Sequence, residues 1–169
     1  MKIEDDFLSP EDLDKLDSII NSPHFPWFFQ KEQTWDDDPF FCHTLYHADE
    51  PRSEFYKPVQ NIFKKYINWS SMYRLNVNLC PKISSTSNFH TDTNGKDNEE
   101  VMTTAVFYLN TNNGYTRFET GEKVESVENR FVTFPNRIQH TGTTNNCNAP
   151  FRCVMNINWI KKLNNGETI

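Results

Sequence analysis

A mainly β domain with two helices ahead of its sheet is the fold class that this 169-residue sequence predicts. Three observations carry that expectation. From about residue 71 onward, short alternating, β-branched or aromatic runs recur at close spacing between Asn, Gly and Pro turns, whereas two earlier stretches space their apolar residues as helices do. Fourteen phenylalanines, four tryptophans and six tyrosines supply an aromatic core, and a mean hydropathy of −0.74 marks a polar, turn-rich exterior. A chain of this size buries about 70% of its unfolded surface, enough for one domain over 1–169, with 1–70 as helical amino-terminal support and 71–160 as the β core.

The first helix opens at Ser9-Pro10-Glu11-Asp12. Serine caps it, proline takes the first helical position, and the acids sit where the helix dipole favours them. Leu13, Leu16, Ile19 and Ile20 line one face, and the helix ends near Asn21 to Pro23. The aromatic cluster that follows, from His24 to Phe29, either pins the segment to the domain or walls a pocket. Residues 30–52 read as irregular, with Asp36, Asp37 and Asp38 as a solvated loop; within them His43 and His47 have the four-residue spacing that pairs side chains on a helix. A second helix is expected over 53–67, where Phe55, Tyr56, Val59, Ile62, Phe63 and Tyr66 share a face, Pro58 falls in the tolerant first turn, and Lys64 and Lys65 lie near the carboxyl end.

Strands follow. Residues 73–79 alternate, with Tyr73, Leu75, Val77 and Leu79 on one face and Arg74, Asn76 and Asn78 on the other, a polar face that is not obviously the solvent face. A loop leads to Phe89-His90-Thr91-Asp92, and Asn94-Gly95 is a turn signal immediately after it. Further strands are expected over 101–109, 115–118, 123–127, 130–134 and 151–160. Seven or so short strands behind two helices predict an antiparallel sandwich or open barrel.

His90 and Asp92 stand two apart, so on an extended strand their side chains leave from one face. A second histidine brought in from another strand would give two imidazoles and a carboxylate on one side of a metal, the arrangement that suits non-haem Fe(II) and leaves coordination positions open. His140 is the candidate, 48 residues further on, and Arg152 begins the last strand. The His-x-Asp pattern alone is weak evidence, because His47-Ala48-Asp49 repeats it. Context separates the two: the later triplet sits at the mouth of the β region, and the earlier one precedes a helix with no strand pair around it.

The order His90-Thr91-Asp92, Phe107-Tyr108-Leu109-Asn110, Gly114-Tyr115-Thr116-Arg117-Phe118, His140-Thr141-Gly142 and Arg152 to Trp159 resembles the Fe(II)- and 2-oxoglutarate-dependent oxygenases, in particular their prolyl 4-hydroxylase-like branch. That resemblance spans about residues 72–160. It implies a double-stranded β-helix of the jelly-roll, cupin-like kind, with the two helices packed on the sheet. It also implies that His90, Asp92 and His140 hold iron, and that Arg152 binds the distal carboxylate of 2-oxoglutarate through its planar fork. Where the branch more often has lysine this chain has Arg152, and where it often has a cofactor-contacting tyrosine this chain has Cys80; Asn76 or Asn78 could replace that hydrogen bond, and Thr116 matches a threonine near the co-substrate. The implied reaction consumes O2 and 2-oxoglutarate, releases succinate and CO2, hydroxylates a peptidyl (prolyl-like) or small-molecule substrate, and uses ascorbate as a supporting reductant. Residues 26–29 and 93–100 are the expected lids.

Composition narrows the setting. A net charge of −6, with no long basic block, argues against nucleic acid or an anionic membrane as the main partner. No apolar run approaches a membrane span, the amino terminus has no secretory pattern, and Cys42, Cys80, Cys147 and Cys153 form no Cys-x-x-Cys pair, so a cytoplasmic protein with reduced thiols is expected, its oligomeric state left open. Two rivals use the same fold: a cupin-like hydrolase or isomerase with another metal, which needs no Arg152, and a non-enzymatic jelly-roll binding module, which needs neither His90 nor Arg152.

Overall fold

The computed structural model describes residues 1–30, 40–82, 88–93 and 101–161. The expected loop at Asp36 to Asp38, the Asn94-Gly95 turn and all of the 93–100 lid except Thr93 lie outside the described residues. The backbone is a double-stranded β-helix. Its larger sheet runs β1 (Lys2–Glu4), β9 (Phe131–Pro135), β6 (Met102–Tyr108), β11 (Phe151–Lys161), β5 (Trp69–Pro81), β3 (Phe40–His47) and β2 (Phe28–Gln30), with β4 (Glu50–Pro51) also on β3. Its smaller sheet is β10 (His140–Gly142), β7 (Tyr115–Phe118) and β8 (Lys123–Glu125), and every pairing is antiparallel.

Strand alternation divides the larger sheet into two chemical faces. One face of β5 and β11 sends Leu75, Val77, Met155 and Ile157 into a core shared with the helices, together with Leu16, Val59, Phe63 and Phe107. The other face looks toward the smaller sheet. There Val106, Tyr108, Val132, Phe134 and Val154 pack on Phe118 and Val124, closing one part of the intersheet space and leaving the polar part open.

Helix α1 (Pro10–Ile20) has the expected start: the Ser9 hydroxyl accepts a hydrogen bond from the Asp12 N–H at 3.3 Å. Helix α2 (Tyr56–Phe63) is shorter than the expected 53–67, because Ser53 to Phe55 form a turn whose bonds run to the Ser53 hydroxyl and carbonyl. Buried Asp12 joins the two helices by accepting from Lys65 Nζ at 2.6 Å and from the Tyr66 hydroxyl at 2.7 Å.

The amino-terminal region departs most from expectation. It contributes β1 to β4 to the larger sheet as well as the two helices. Residues 40–47, expected to be irregular, form a strand whose burial shows no clean alternation, which hides it from periodicity. His43 and His47 therefore lie along a strand and share no helix face. His47 also has strand partners, Arg74 on one side and Glu50 on the other, through a hairpin turn in which Ala48 and Asp49 take φ of 50° and 63°. Of the aromatic cluster, Phe25 is in the core and Trp27 packs on it, while Phe28 and Phe29 are exposed on edge strand β2.

Candidate functional site

His90, Asp92 and His140 converge at one end of the intersheet space, with one candidate ligand atom from each lying within 4.8 Å of the others. The premise that a single strand presents His90 and Asp92 is corrected: His90 makes one isolated bridge, and Asp92 lies in the turn after it. Convergence comes from that bridge, in which His90 and His140 exchange both backbone hydrogen bonds at 3.0 Å. The imidazoles thereby stand side by side, centroids 4.8 Å apart. Asp92 Oδ1 lies 4.0 Å from His90 Nε2 and 3.8 Å from His140 Nε2.

The surroundings prepare these groups for a cation. His90 Nδ1 meets the Asn88 carbonyl at 2.9 Å and His140 Nδ1 meets that of Ile138 at 3.5 Å, an arrangement that places the ring proton on Nδ1 and the lone pair on Nε2. Burial pushes the His140 pKa below the ordinary imidazole value, which favours the neutral ring that binds metal. Burial would raise the Asp92 pKa, but Arg74, His140, the Asn158 hydrogen bond and His90 outweigh it and hold the carboxyl well below the usual range. Its two oxygens are fixed: Arg74 Nη2 lies 2.6 Å from Oδ1, and Asn158 Nδ2 donates to Oδ2 at 2.9 Å. Arg74 Nε in turn donates to Asn158 Oδ1 at 2.9 Å, and a buried chain through Thr104, Asn136 and Thr93 completes the support. Donor types, tautomers and charge thus all fit a divalent cation.

Arg152 occupies the opposite end. It is 3% exposed, donates from Nε to Ser126 Oγ at 3.0 Å and from Nη2 to Thr116 Oγ1 at 3.1 Å, and has its guanidinium carbon 5.6 Å from the Tyr108 ring centroid. Among the described residues its partners are hydroxyls, and no carboxylate is paired with it. A buried cation with neutral partners alone is costly and calls for an anion. Gly114 lets the backbone approach: a Cβ there would meet Arg152 Cδ at 2.7 Å.

One cavity of about 480 Å³ contains both ends. Its floor is the inward face of β5 and β11, where Arg74 pairs with Asn158, Asn76 with Asn156, Asn78 with Val154 and Cys80 with Arg152. The Asn76 and Asn78 side-chain oxygens are buried there without hydrogen-bond partners, so the middle of the floor has polar capacity left for a ligand. Thr116 stands beside Arg152, whose Nη2 donates to its hydroxyl. Sequence reading missed Arg74, Asn158, Ser126 and Tyr108 as site residues. For Arg74 the signal was present, because it shares the alternating polar face with Asn76 and Asn78.

No family model matches the sequence, and no curated protein does. Solved structures do share the fold. A prolyl-4-hydroxylase from Pseudomonas putida aligns with a TM-score of 0.62 at 14% identity, covering 96% of this chain and 92% of its own. A prolyl hydroxylase from Trichoplax adhaerens, in complex with a peptide fragment of the hypoxia inducible factor oxygen degradation domain, aligns at 0.64 and 14%, covering 94% and 83%. The non-haem alpha ketoglutarate dependent epimerase of nogalamycin biosynthesis aligns at 0.63 and 11%, covering 94% and 75%. The chain has the double-stranded β-helix of the 2-oxoglutarate-Fe(II) oxygenases, and its structural neighbours include prolyl 4-hydroxylases.

Proposed function

We propose that this chain is a single-domain Fe(II)- and 2-oxoglutarate-dependent dioxygenase that hydroxylates a C–H bond of a peptidyl, prolyl-like or small-molecule substrate. One observation carries the reading: a buried arginine with no carboxylate partner among the described residues shares a cavity with a converged two-histidine, one-carboxylate cluster. A cupin-like hydrolase would have no use for that arginine, and a binding module no use for either end.

His90, Asp92 and His140 would hold the iron and leave its remaining positions to ligands. Arg152, oriented by Ser126 and Thr116, would take the distal carboxylate of 2-oxoglutarate, with Asn76 and Asn78 on the cavity floor between the two ends. The bound iron and co-substrate supply the oxidising chemistry, with O2 consumed, succinate and CO2 released, and ascorbate as supporting reductant. The chain's own contribution is positioning and exclusion of water. Arg74 and Asn158 fix the Asp92 carboxylate, and Phe118 and Phe134 pack against the His140 ring, limiting its motion. All four thiols are free, which suits the reducing cytoplasm, and no helix of the described residues is long and apolar enough to cross a membrane.

Anaerobic addition of Fe(II) and then 2-oxoglutarate should develop a weak visible metal-to-ligand charge-transfer band, and admission of air should yield succinate. Absence of both would overturn the assignment. Mass analysis of peptide and metabolite pools for a gain of one oxygen then identifies the substrate.

A further inference from the structure

A second groove, of about 730 Å³, opens beside the first cavity and shares Gln30, Cys42, Thr44, Arg74 and Asn76 with it. It lies along the edge of β3, between β2, which pairs only as far as Cys42, and β4, which pairs from Tyr46. A register shift between Thr44 and Tyr46 returns His47 to the same sheet face as Arg74 and Thr44, so the groove has a polar floor. Its apolar members are Pro26, Phe28 and Phe55, with Phe28 exposed by 54%.

Arg74 joins the two spaces chemically. Nη2 and Nε are committed to Asp92 and Asn158, while the side chain is 18% exposed and lines both spaces. Charge balance sharpens the point. Among the described residues lining the two spaces, guanidinium groups come from Arg52, Arg74 and Arg152, against the carboxylates of Asp92 and Glu54; Arg52 is paired outward with Glu50 at 3.1 Å. A divalent cation on Asp92 would have to share that carboxylate with Arg74, leaving positive charge uncompensated where the groove meets the metal end.

We propose that the groove is the substrate cleft and takes a small carboxylate attached to an apolar or aromatic body, with the carboxylate on Arg74 and the body against Phe28 and Phe55. The inference rests on the oxygenase reading and narrows it. A substrate anchored on Arg74 is held by the same guanidinium that touches Asp92, so its nearest carbons lie next to the metal end and its body leads away along β3. Electrostatic complementarity of this kind selects among substrates by rejecting neutral analogues.

Isothermal titration of the full chain with N-acetyl-L-phenylalanine and with neutral N-acetyl-L-phenylalaninamide tests the proposal, first without metal and then with Mn(II) and N-oxalylglycine, which occupies the Arg152 end. The carboxylate should bind about tenfold more tightly than the amide with Mn(II) and N-oxalylglycine present, as a charge-assisted hydrogen bond predicts, and should keep a smaller preference without metal, where Asp92 offsets the Arg74 charge. Arg74→Gln should abolish the preference, Arg74→Lys should retain part of it, and Phe28→Ser, at an exposed position, should weaken both probes several-fold. Equal affinity for the two probes, no binding of either, or a preference lost in Arg152→Gln but kept in Arg74→Gln would overturn the proposal. The metal-free titration separates this outcome from the oxygenase assignment, because absence of succinate bears on that assignment and leaves the groove measurement standing.

Discussion

Arg74 and Arg152 lie on the same face of the same sheet, at opposite ends of one cavity, and do opposite things. Arg74 is bound to the carboxylate of Asp92, and Asn158 braces both groups. Arg152 is more deeply buried yet, among the described residues, its side chain bonds to hydroxyls and faces an aromatic ring. Residue type and burial therefore do not define the role of a buried cation. A charge whose partner is supplied by the protein is fixed in place by it and keeps only its remaining edge for a ligand, whereas one with no charged partner among the described residues offers a ligand its full charge.

The largest expected effect comes from breaking the paired end. Asp92→Ala removes a candidate metal ligand and leaves the partly buried Arg74 without its counter-charge, so metal binding should vanish and stability should fall by about 2–3 kcal/mol. Equilibrium dialysis with Fe(II) and urea unfolding of the metal-free protein measure the two effects. Asp49→Ala, in the twin triplet, should leave metal binding intact, because Asp49 is exposed in a hairpin turn. A reversal of these two results would assign the metal to the wrong triplet.

Arg152→Met gives the complementary result. Affinity for 2-oxoglutarate should drop about a hundredfold, the loss expected when a buried bidentate carboxylate contact goes. Stability of the ligand-free protein should hold or rise, since a buried cation lacking a counter-charge has been replaced by an apolar side chain of similar length. Binding titration and thermal unfolding of one preparation check both halves, and equal losses of stability in Asp92→Ala and Arg152→Met would erase the distinction between the two ends.

The contrast also separates what the sequence revealed from what it hid. The helix at Ser9-Pro10 and the strands β5 to β9 and β11 were legible because caps, turns and alternation are local signals, whereas three-residue β10 was not, and the order of His90, Asp92, His140 and Arg152 was legible through its resemblance to a family pattern. Strand β3 was not, because its two faces are both partly buried and Leu45 is inserted as a bulge, so no period survives. Strand β1 has three residues and is held by pairing with β9 and by the Arg130–Asp5 ion pair, neither of which a local reading reveals. Arg74 was visible as a polar residue on a strand face, but its bond to Asp92 depends on β5 lying beside the turn after His90, a tertiary fact. Ser126 entered the site in the same way, from a loop after β8.

A smaller perturbation should act on the unpaired end alone. In Gly114→Ala the new methyl would lie 2.7 Å from Arg152 Cδ, 2.8 Å from Asn112 Oδ1 and 3.1 Å from the Thr143 carbonyl, so Arg152 has to shift. A cost of about 1–3 kcal/mol is typical of overpacking, and 2-oxoglutarate affinity should fall several-fold while Fe(II) affinity stays unchanged. Equal weakening of metal and co-substrate would mean that the two ends move together.

Acid should distinguish the ends most gently, because only one of them titrates below neutrality. The His140 pKa is lowered in the folded state, so the unfolded chain binds a proton that the folded chain resists; stability therefore declines as pH falls from about 6.5 toward the folded value. The Asp92 pKa is also lowered, so its contribution is fully present above about pH 4, the unfolded value, and is lost only as pH drops further toward the folded one. Metal-free protein should accordingly lose stability in two stages, the first reduced by His140→Asn, with buried His43 adding to it, and the second reduced by Asp92→Asn, with Asp12 adding to it. Arg152 stays charged throughout, so Arg152→Met should leave both stages in place; urea unfolding at intervals between pH 7 and pH 3 would show whether it does, and a stage that disappeared with Arg152→Met would couple the two arginines after all.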